Sequence, residues 1–257
     1  MTNRFKHSGA FGDLIYSLPL VQYVGGGEFY LHLDQINWIG QHYYGSAPNP
    51  FHQGRLNQQD FEFMRSFMEA QSYITKFDVM SRSTEITHNL DRFRVPFVGH
   101  PGNYVDIYST VFGIKDPGTQ EHIRNTPWVT VPEVNTVKGR DIVINRTERW
   151  IPKTLSNQWN EWKQAGWEAR SIFVGLPTEY ELFKSRTGWD NIPYQPTQTM
   201  LELAQYIAGG STFIGNQSMA LALAIGLGKE YYCEARDDMP LSRNECYFSN
   251  RTGATYF

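Results

Sequence analysis

Three short runs of this chain carry groups that can do chemistry. The first is Ser8-Gly9-Ala10-Phe11-Gly12-Asp13, set between the extended run Arg4-Phe5-Lys6-His7 and the apolar Leu14-Ile15-Tyr16-Ser17-Leu18-Pro19. It reads as a turn from strand to helix. A carboxylate there can take a proton from a hydroxyl within hydrogen-bond reach, while Gly9 and Gly12 let backbone or ligand come close. The alternative for Asp13 is to cap its own helix, a role worth about 0.5–2 kcal/mol. The second run is Gly215-Asn216-Gln217-Ser218, ahead of a helix carrying Ala220, Ala222 and Ala224. Its N–H groups and the Ser218 hydroxyl suit a diphosphate at the positive helix end. Asn216 or Ser218 as a plain helix cap is the competing reading. The third is His88-Asn89-Leu90-Asp91-Arg92-Phe93-Arg94, followed by His100-Pro101-Gly102-Asn103-Tyr104. His88, Arg92 and His100 follow an expected strand end and can line a binding cleft, or serve as ordinary loop residues.

Two αβ units must hold these runs. The opening strand–turn–helix is repeated at Asp141-Ile142-Val143-Ile144, then Asn145-Arg146-Thr147-Glu148-Arg149-Trp150, then a helix from about Pro152. That helix carries Leu155, Trp159, Trp162 and Ala165 on one face, and Gly166 stops it. Beyond it the pattern alternates: strand Ser171 to Gly175, helix Thr199 to Ala208 ended by Gly209-Gly210, strand Thr212 to Gly215, helix Ser218 to Ile225, strand Glu230 to Cys233. In the first half a helix is predicted over Gln59 to Gln71, burying Phe61, Met64, Phe67 and Met68, with a strand near Tyr73 to Phe77. The stretch Asn37 to Gln58 shows no periodicity. The boundary is placed at Asn135 to Lys138, giving Rossmann-like lobes at 1–137 and 138–257 and an α/β fold class.

The composition supports this. The chain has 257 residues, of which 40% are hydrophobic, 15% aromatic and 19% charged, enough apolar material for a core and too little charge for disorder. No run approaches the roughly 20 apolar residues a bilayer helix needs. The start lacks the apolar core and small residues of a secretory signal, so a cytoplasmic location is expected. Cys233 and Cys246 have no close spacing or neighbouring histidine, which argues against a zinc site or a disulfide framework. The net charge is −3, and residues 1–137 hold 10 Lys/Arg against 13 Asp/Glu. Neither half is basic, so nucleic acid binding would need a local patch that the composition does not show.

Two of the runs, taken together, resemble the ADP-heptose:lipopolysaccharide heptosyltransferase family. Ser8 to Pro19 is similar to its N-terminal Gly-Asp-(apolar)-Pro segment. Ala204 to Gly228 is similar to its C-terminal segment, where a strand ends in Gly-Asn-Asp-Ser/Thr-Gly and an Ala-rich helix leads to Leu-Gly. Arg149-Trp150-Ile151-Pro152 looks like its Lys-x-Trp-Pro. The middle of the first half does not match, and the chain is shorter than most members, in the manner of phage-encoded versions. The resemblance implies a GT-B fold with two lobes facing across a cleft. It also implies metal-independent, inverting transfer of a sugar from a nucleotide diphosphate to an acceptor hydroxyl, with no cofactor beyond that co-substrate.

Carried over residue by residue, the resemblance makes Asp13 the general base and Arg149 the diphosphate cation, with Arg146 and Lys153 in the same loop and helix start as substitutes. Gly12, Asn216, Gln217, Ser218 and Met219 would then meet the donor diphosphate. The strand ending at Gly175 precedes Glu179 and Glu181, where GT-B proteins often hold the ribose; either could do so, or serve as an exposed glutamate at a helix start. Gly9, His88, Arg92 and His100 would lie on the acceptor side. Gln217 stands where the family has Asp, Met219 where it has Gly, and Ala222 where it often has His, which points to a different donor sugar or a weaker grip. The acceptor is a small molecule, a glycan or, in a phage setting, a hydroxymethylated DNA base. A nucleotide-sugar hydrolase or epimerase, and a non-catalytic nucleotide-binding module, are the competing readings.

Overall fold

A computed structural model describes residues 2–33, 56–94, 103–148, 151–236 and 254–257. The chain divides into two compact units, Met1–Trp128 and Val129–Phe257. The division falls after Trp128, not near residue 137, because the intervening segment is bound to the second unit. Val129 N–H donates to Gly226 O (3.1 Å) and Asn135 N–H to Gln205 O (3.1 Å).

In the first unit, β1 (Arg4–His7), β2 (Gly27–Leu31), β3 (Ile74–Val79) and β4 (His88–Asn89) form a sheet in the order β3-β2-β1-β4, with each neighbouring pair parallel. Helix α1 (Phe11–Tyr23) follows β1 and buries every residue from Leu14 to Val21. Helix α2 (Gln58–Glu69) is the predicted amphipathic element, and Phe61, Met64, Phe67 and Met68 are its buried residues. It starts one residue earlier than predicted because Asn57 and Asp60 form a reciprocal capping box. The predicted strand near Tyr73 begins at Ile74. The aperiodic stretch Asn37 to Gln58 lies almost wholly outside the described residues. Helices α3 (Tyr104–Val111) and α4 (Pro117–Asn125) complete the unit, each capped by an acceptor side chain, Asn103 and Asp116.

The second unit contains β5 (Ile142–Asn145), α5 (Gln158–Gln164), β6 (Ser171–Val174), α6 (Pro177–Thr187), β7 (Tyr194–Gln195), α7 (Met200–Gly209), β8 (Thr212–Asn216), α8 (Met219–Gly226), β9 (Glu230–Glu234) and β10 (Ala254–Tyr256). The strands are parallel in the order β10-β9-β8-β5-β6-β7. Counted from β5, this is the doubly wound 3-2-1-4-5-6 order. All four residues of both β5 and β6 are buried, as expected of strands covered on both faces. Helix α5 starts at Gln158 instead of Pro152, so Leu155 precedes it, and Gly166 adopts the positive φ of 83° that ends its turn. Trp159 and Trp162 are core residues: Trp159 meets Trp162 and Trp189 edge to face, each at 5.6 Å. Cys233 is buried too, which pushes its thiol pKa up; Cys246 lies outside the described residues.

Candidate functional sites at the two switch points

In an open parallel sheet, ligands bind outside the carboxyl ends of the strands where the strand order reverses. Each unit has one such place, between β1 and β4 in the first and between β5 and β8 in the second.

In the first unit the chain leaves β1 through Ser8 and Gly9 and enters α1. Ser8 N–H donates to Asp91 Oδ1 (2.9 Å), and Gly9 N–H to His7 Nδ1 (2.8 Å). His7 is fully buried, and its Nε2 lies 2.8 Å from the Tyr108 hydroxyl. That hydroxyl in turn donates to the backbone carbonyl of Asp13 (2.9 Å). Asp91 is buried just beyond β4, with Lys6 Nζ at 3.1 Å from Oδ2. Burial raises the Asp91 carboxyl, but the nearby His7, the Ser8 N–H and the Lys6 ammonium outweigh it, so its pKa lies below the ordinary value.

Asp13 itself is half-buried in the first turn of α1. The N-cap position belongs to Ala10, so Asp13 is not the N-cap residue. Gly12 is helical, and a Cβ added to it would meet no atom within 4 Å among the described residues, its chain neighbours aside. Its lack of a side chain therefore relieves no crowding among the described residues. His88 pairs with Phe5 in β4, and its ring packs at 4.9 Å from Phe5 and 5.7 Å from Phe112. Partial burial lowers its pKa. It is a packed edge-strand residue, set two positions back from the His7 end of β1 by the register. Arg92 is exposed in a 3-10 turn, and His100 lies outside the described residues.

In the second unit, neutral groups do the joining. Asn145 ends β5, donates from Nδ2 to Val174 O (2.8 Å) and accepts the Ser218 hydroxyl on Oδ1 (3.2 Å). Asn216 ends β8 and clasps Thr147, accepting its N–H (2.9 Å) and donating to its carbonyl (2.8 Å). Ser218 also accepts Leu221 N–H (3.3 Å) as the N-cap of α8. The first N–H groups of a helix have no intrahelical partner, and those of Met219 and Ala220 are of this kind. Gly175, at φ 143°, fits beside Asn145: an added Cβ would lie 2.7 Å from Asn145 Nδ2 and 2.9 Å from Glu179 Oε2. Only glycine fits there.

Glu179 accepts the Leu176 N–H (3.0 Å) at the start of α6. Burial and the nearby Glu148 raise its pKa, while that N–H pulls it down, and the net shift is upward. Gly175 and Ser218 thus meet at Asn145, with Glu179 beside Gly175, while Asn216 is bound to Thr147. Gln217 is buried beside them, at 4% exposure.

One expected cation is corrected. Arg146 is not available to a diphosphate: its guanidinium is bidentate on Glu234, at 2.5 and 3.1 Å, and both side chains are at most 1% exposed. Trp159 Nε1 donates to the same carboxylate (2.8 Å). The side chain of Asn216 is likewise committed to the loop. Lys153 is exposed in the segment before α5, and Arg149 lies outside the described residues.

The sequence reading missed Asp91, His7, Tyr108, Asn145 and Thr147. Asn145 and His7 had a signal, since each ends a strand that feeds a turn; Tyr108, on α3, had none beyond its aromatic spacing from Tyr104.

No family model matches the sequence, and no curated protein is significantly similar to it. Solved structures do share its fold. A glycosyl transferase family 9 protein from Veillonella parvula aligns over 99% of this chain and 84% of its own, with a TM-score of 0.61 at 10% identity. E. coli heptosyltransferase WaaC with ADP aligns over 100% and 93%, with a TM-score of 0.53 at 13% identity. E. coli ADP-heptose lps heptosyltransferase II aligns over 100% and 90%, with a TM-score of 0.54 at 12% identity. The GT-B-like architecture expected from the sequence resemblance is therefore the fold of this chain, with two Rossmann-like units.

Proposed function

We propose that the protein is an inverting, metal-independent glycosyltransferase that moves a sugar from a nucleotide-diphospho-sugar to an acceptor hydroxyl. The observation that carries this reading is the half-buried Asp13 on the first turn of α1, next to Gly12, in a chain whose fold is that of heptosyltransferases. In the step, the acceptor oxygen bonds to the anomeric carbon as the carbon–oxygen bond to the diphosphate breaks. The diphosphate leaves with that electron pair, and the hydroxyl proton passes to the Asp13 carboxylate. In the second unit, the N–H groups at the start of α8 and the cations Arg149 and Lys153 would stabilise the charge on the leaving diphosphate. Glu179 beside Gly175 would take the ribose hydroxyls. Arg146 has no part in this, being held by Glu234.

WaaC was solved with ADP, so ADP is the first nucleotide to test. A ligand that binds only the folded state raises the melting temperature. ADP or an ADP-sugar should therefore stabilise both wild type and Asp13→Ala. Transfer by Asp13→Ala should fall by roughly 10²–10⁴-fold, the usual contribution of a general base. Equal transfer by the variant would remove Asp13 from the mechanism. Binding of nucleotide without transfer to any acceptor would favour a sensing module.

A further inference from the structure

The groups around the turn that carries Asp13 form a directional chain. Gly9 N–H donates to His7 Nδ1, which makes that nitrogen an acceptor. A neutral imidazole has one donor and one acceptor, so the proton of His7 sits on Nε2 and points at the Tyr108 oxygen, 2.8 Å away. The Tyr108 hydroxyl then has its own proton for the Asp13 carbonyl (2.9 Å). Every donor in this series has an acceptor, and the sequence of bonds runs one way only: Gly9 to His7 to Tyr108 to Asp13. It ties the backbone at residue 9 to the backbone at residue 13 through two side chains with no exposed surface. Asp91 fixes residue 8 alongside by accepting its N–H.

We propose that His7 and Tyr108 are positioning residues for Asp13. By bracing the turn at both ends, they hold the first turn of α1, and with it the Asp13 carboxylate, at the height and rotation that proton abstraction needs. The inference deepens the transferase reading and rests on it. The sharpest probe is the Tyr108 hydroxyl, because its ring is independently held by stacking on Phe93 at 4.5 Å. Tyr108→Phe keeps that packing and removes the bond to Asp13 and the acceptor for His7.

The test measures kcat, donor KM and ADP affinity of Tyr108→Phe alone and in the Asp13→Ala background. Misplacement of a reacting group by about 1 Å reduces rates by up to roughly 100-fold. We expect kcat to fall about 10- to 100-fold with donor KM and ADP affinity unchanged, and Tyr108→Phe to add nothing once Asp13 is gone. A wild-type kcat overturns the proposal, as does an equal loss in both backgrounds, which would indicate a general structural role. Two NMR measurements need no turnover and keep the proposal testable if the transferase reading fails. In wild type, the ¹⁵N shifts of His7 should report the Nε2–H form, and Tyr108→Phe should shift both these resonances and the titration midpoint of the Asp13 carboxyl. A His7 ring protonated on Nδ1, or an Asp13 midpoint unmoved by the substitution, overturns it.

Discussion

The two units place opposite chemistry on the same topological feature. In the first, the switch point gathers ionisable side chains: Lys6, His7, Asp91, Tyr108 and, on the first turn of α1, Asp13. In the second, the equivalent strand ends are joined by amides and a hydroxyl, Asn145, Asn216 and Ser218. The second unit does contain a buried ion pair, Arg146 with Glu234, but each charge there is neutralised by the other. A site that must move a proton needs titratable groups with fixed geometry. A site that must accept a diphosphate needs donors whose charge does not change with pH. Under the proposed function, strand order would fix where a ligand sits, and the residues at the strand ends would decide what happens to it.

The largest effect should come from stripping the second unit of its internal neutralisation. Glu234→Ala leaves the Arg146 guanidinium buried without a counter-charge and Trp159 Nε1 without an acceptor. Removing one partner of a buried pair destabilises by about 3–5 kcal/mol. Urea denaturation followed by tryptophan fluorescence should show that loss, and an unchanged midpoint would mean that the pair is not held as described.

An intermediate effect, dependent on pH, should appear in the first unit. The folded Asp91 carboxyl titrates below its ordinary value of 3.8. Its stabilisation is therefore complete above that value and is lost as the pH falls through the lowered one. Thermal unfolding of wild type should weaken across this acid window. Asp91→Asn should be less stable than wild type at neutral pH and should show a flatter acid limb, the two converging at the lowest pH. Parallel acid limbs would argue against the role given to Asp91.

The smallest effect is expected at the α8 cap. Ser218→Ala removes the acceptor for Leu221 N–H and the donor to Asn145, with a loss of about 1 kcal/mol. If the α8 end receives a diphosphate through its backbone, the variant should still be stabilised by ADP. Loss of that response would move the hydroxyl from capping into the binding site.

The elements that the sequence made legible are those with strong local signals. Phe61, Met64, Phe67 and Met68 repeat at helical spacing, and all four are buried on α2. Thr199 and Ser218 stand where caps belong, and both cap. The strands at Ile142, Ser171 and Thr212 are apolar runs of the length a covered parallel strand takes. What stayed hidden depends on partners far apart in the chain. Arg146 reads as a loop cation until Glu234, 88 residues on, is seen against it. Asp91 and Tyr108 contact the opening turn across separations of 83 and 101 residues, and no local pattern reports such pairings. Helix α5 was predicted too early because Leu155 keeps the apolar spacing while the residues around it do not hold helical geometry.

The strap from Val129 to Asn135 has a practical consequence. Its amides reach Gly226 O, at the end of α8, and Gln205 O, within α7, and Gly209 is glycine where a Cβ would collide with the Asn135 carbonyl. Severing the gene at 137 would strip nine residues from the half they belong to and remove the amides that bind α8 and α7. A second half intended to stand alone should begin at Val129.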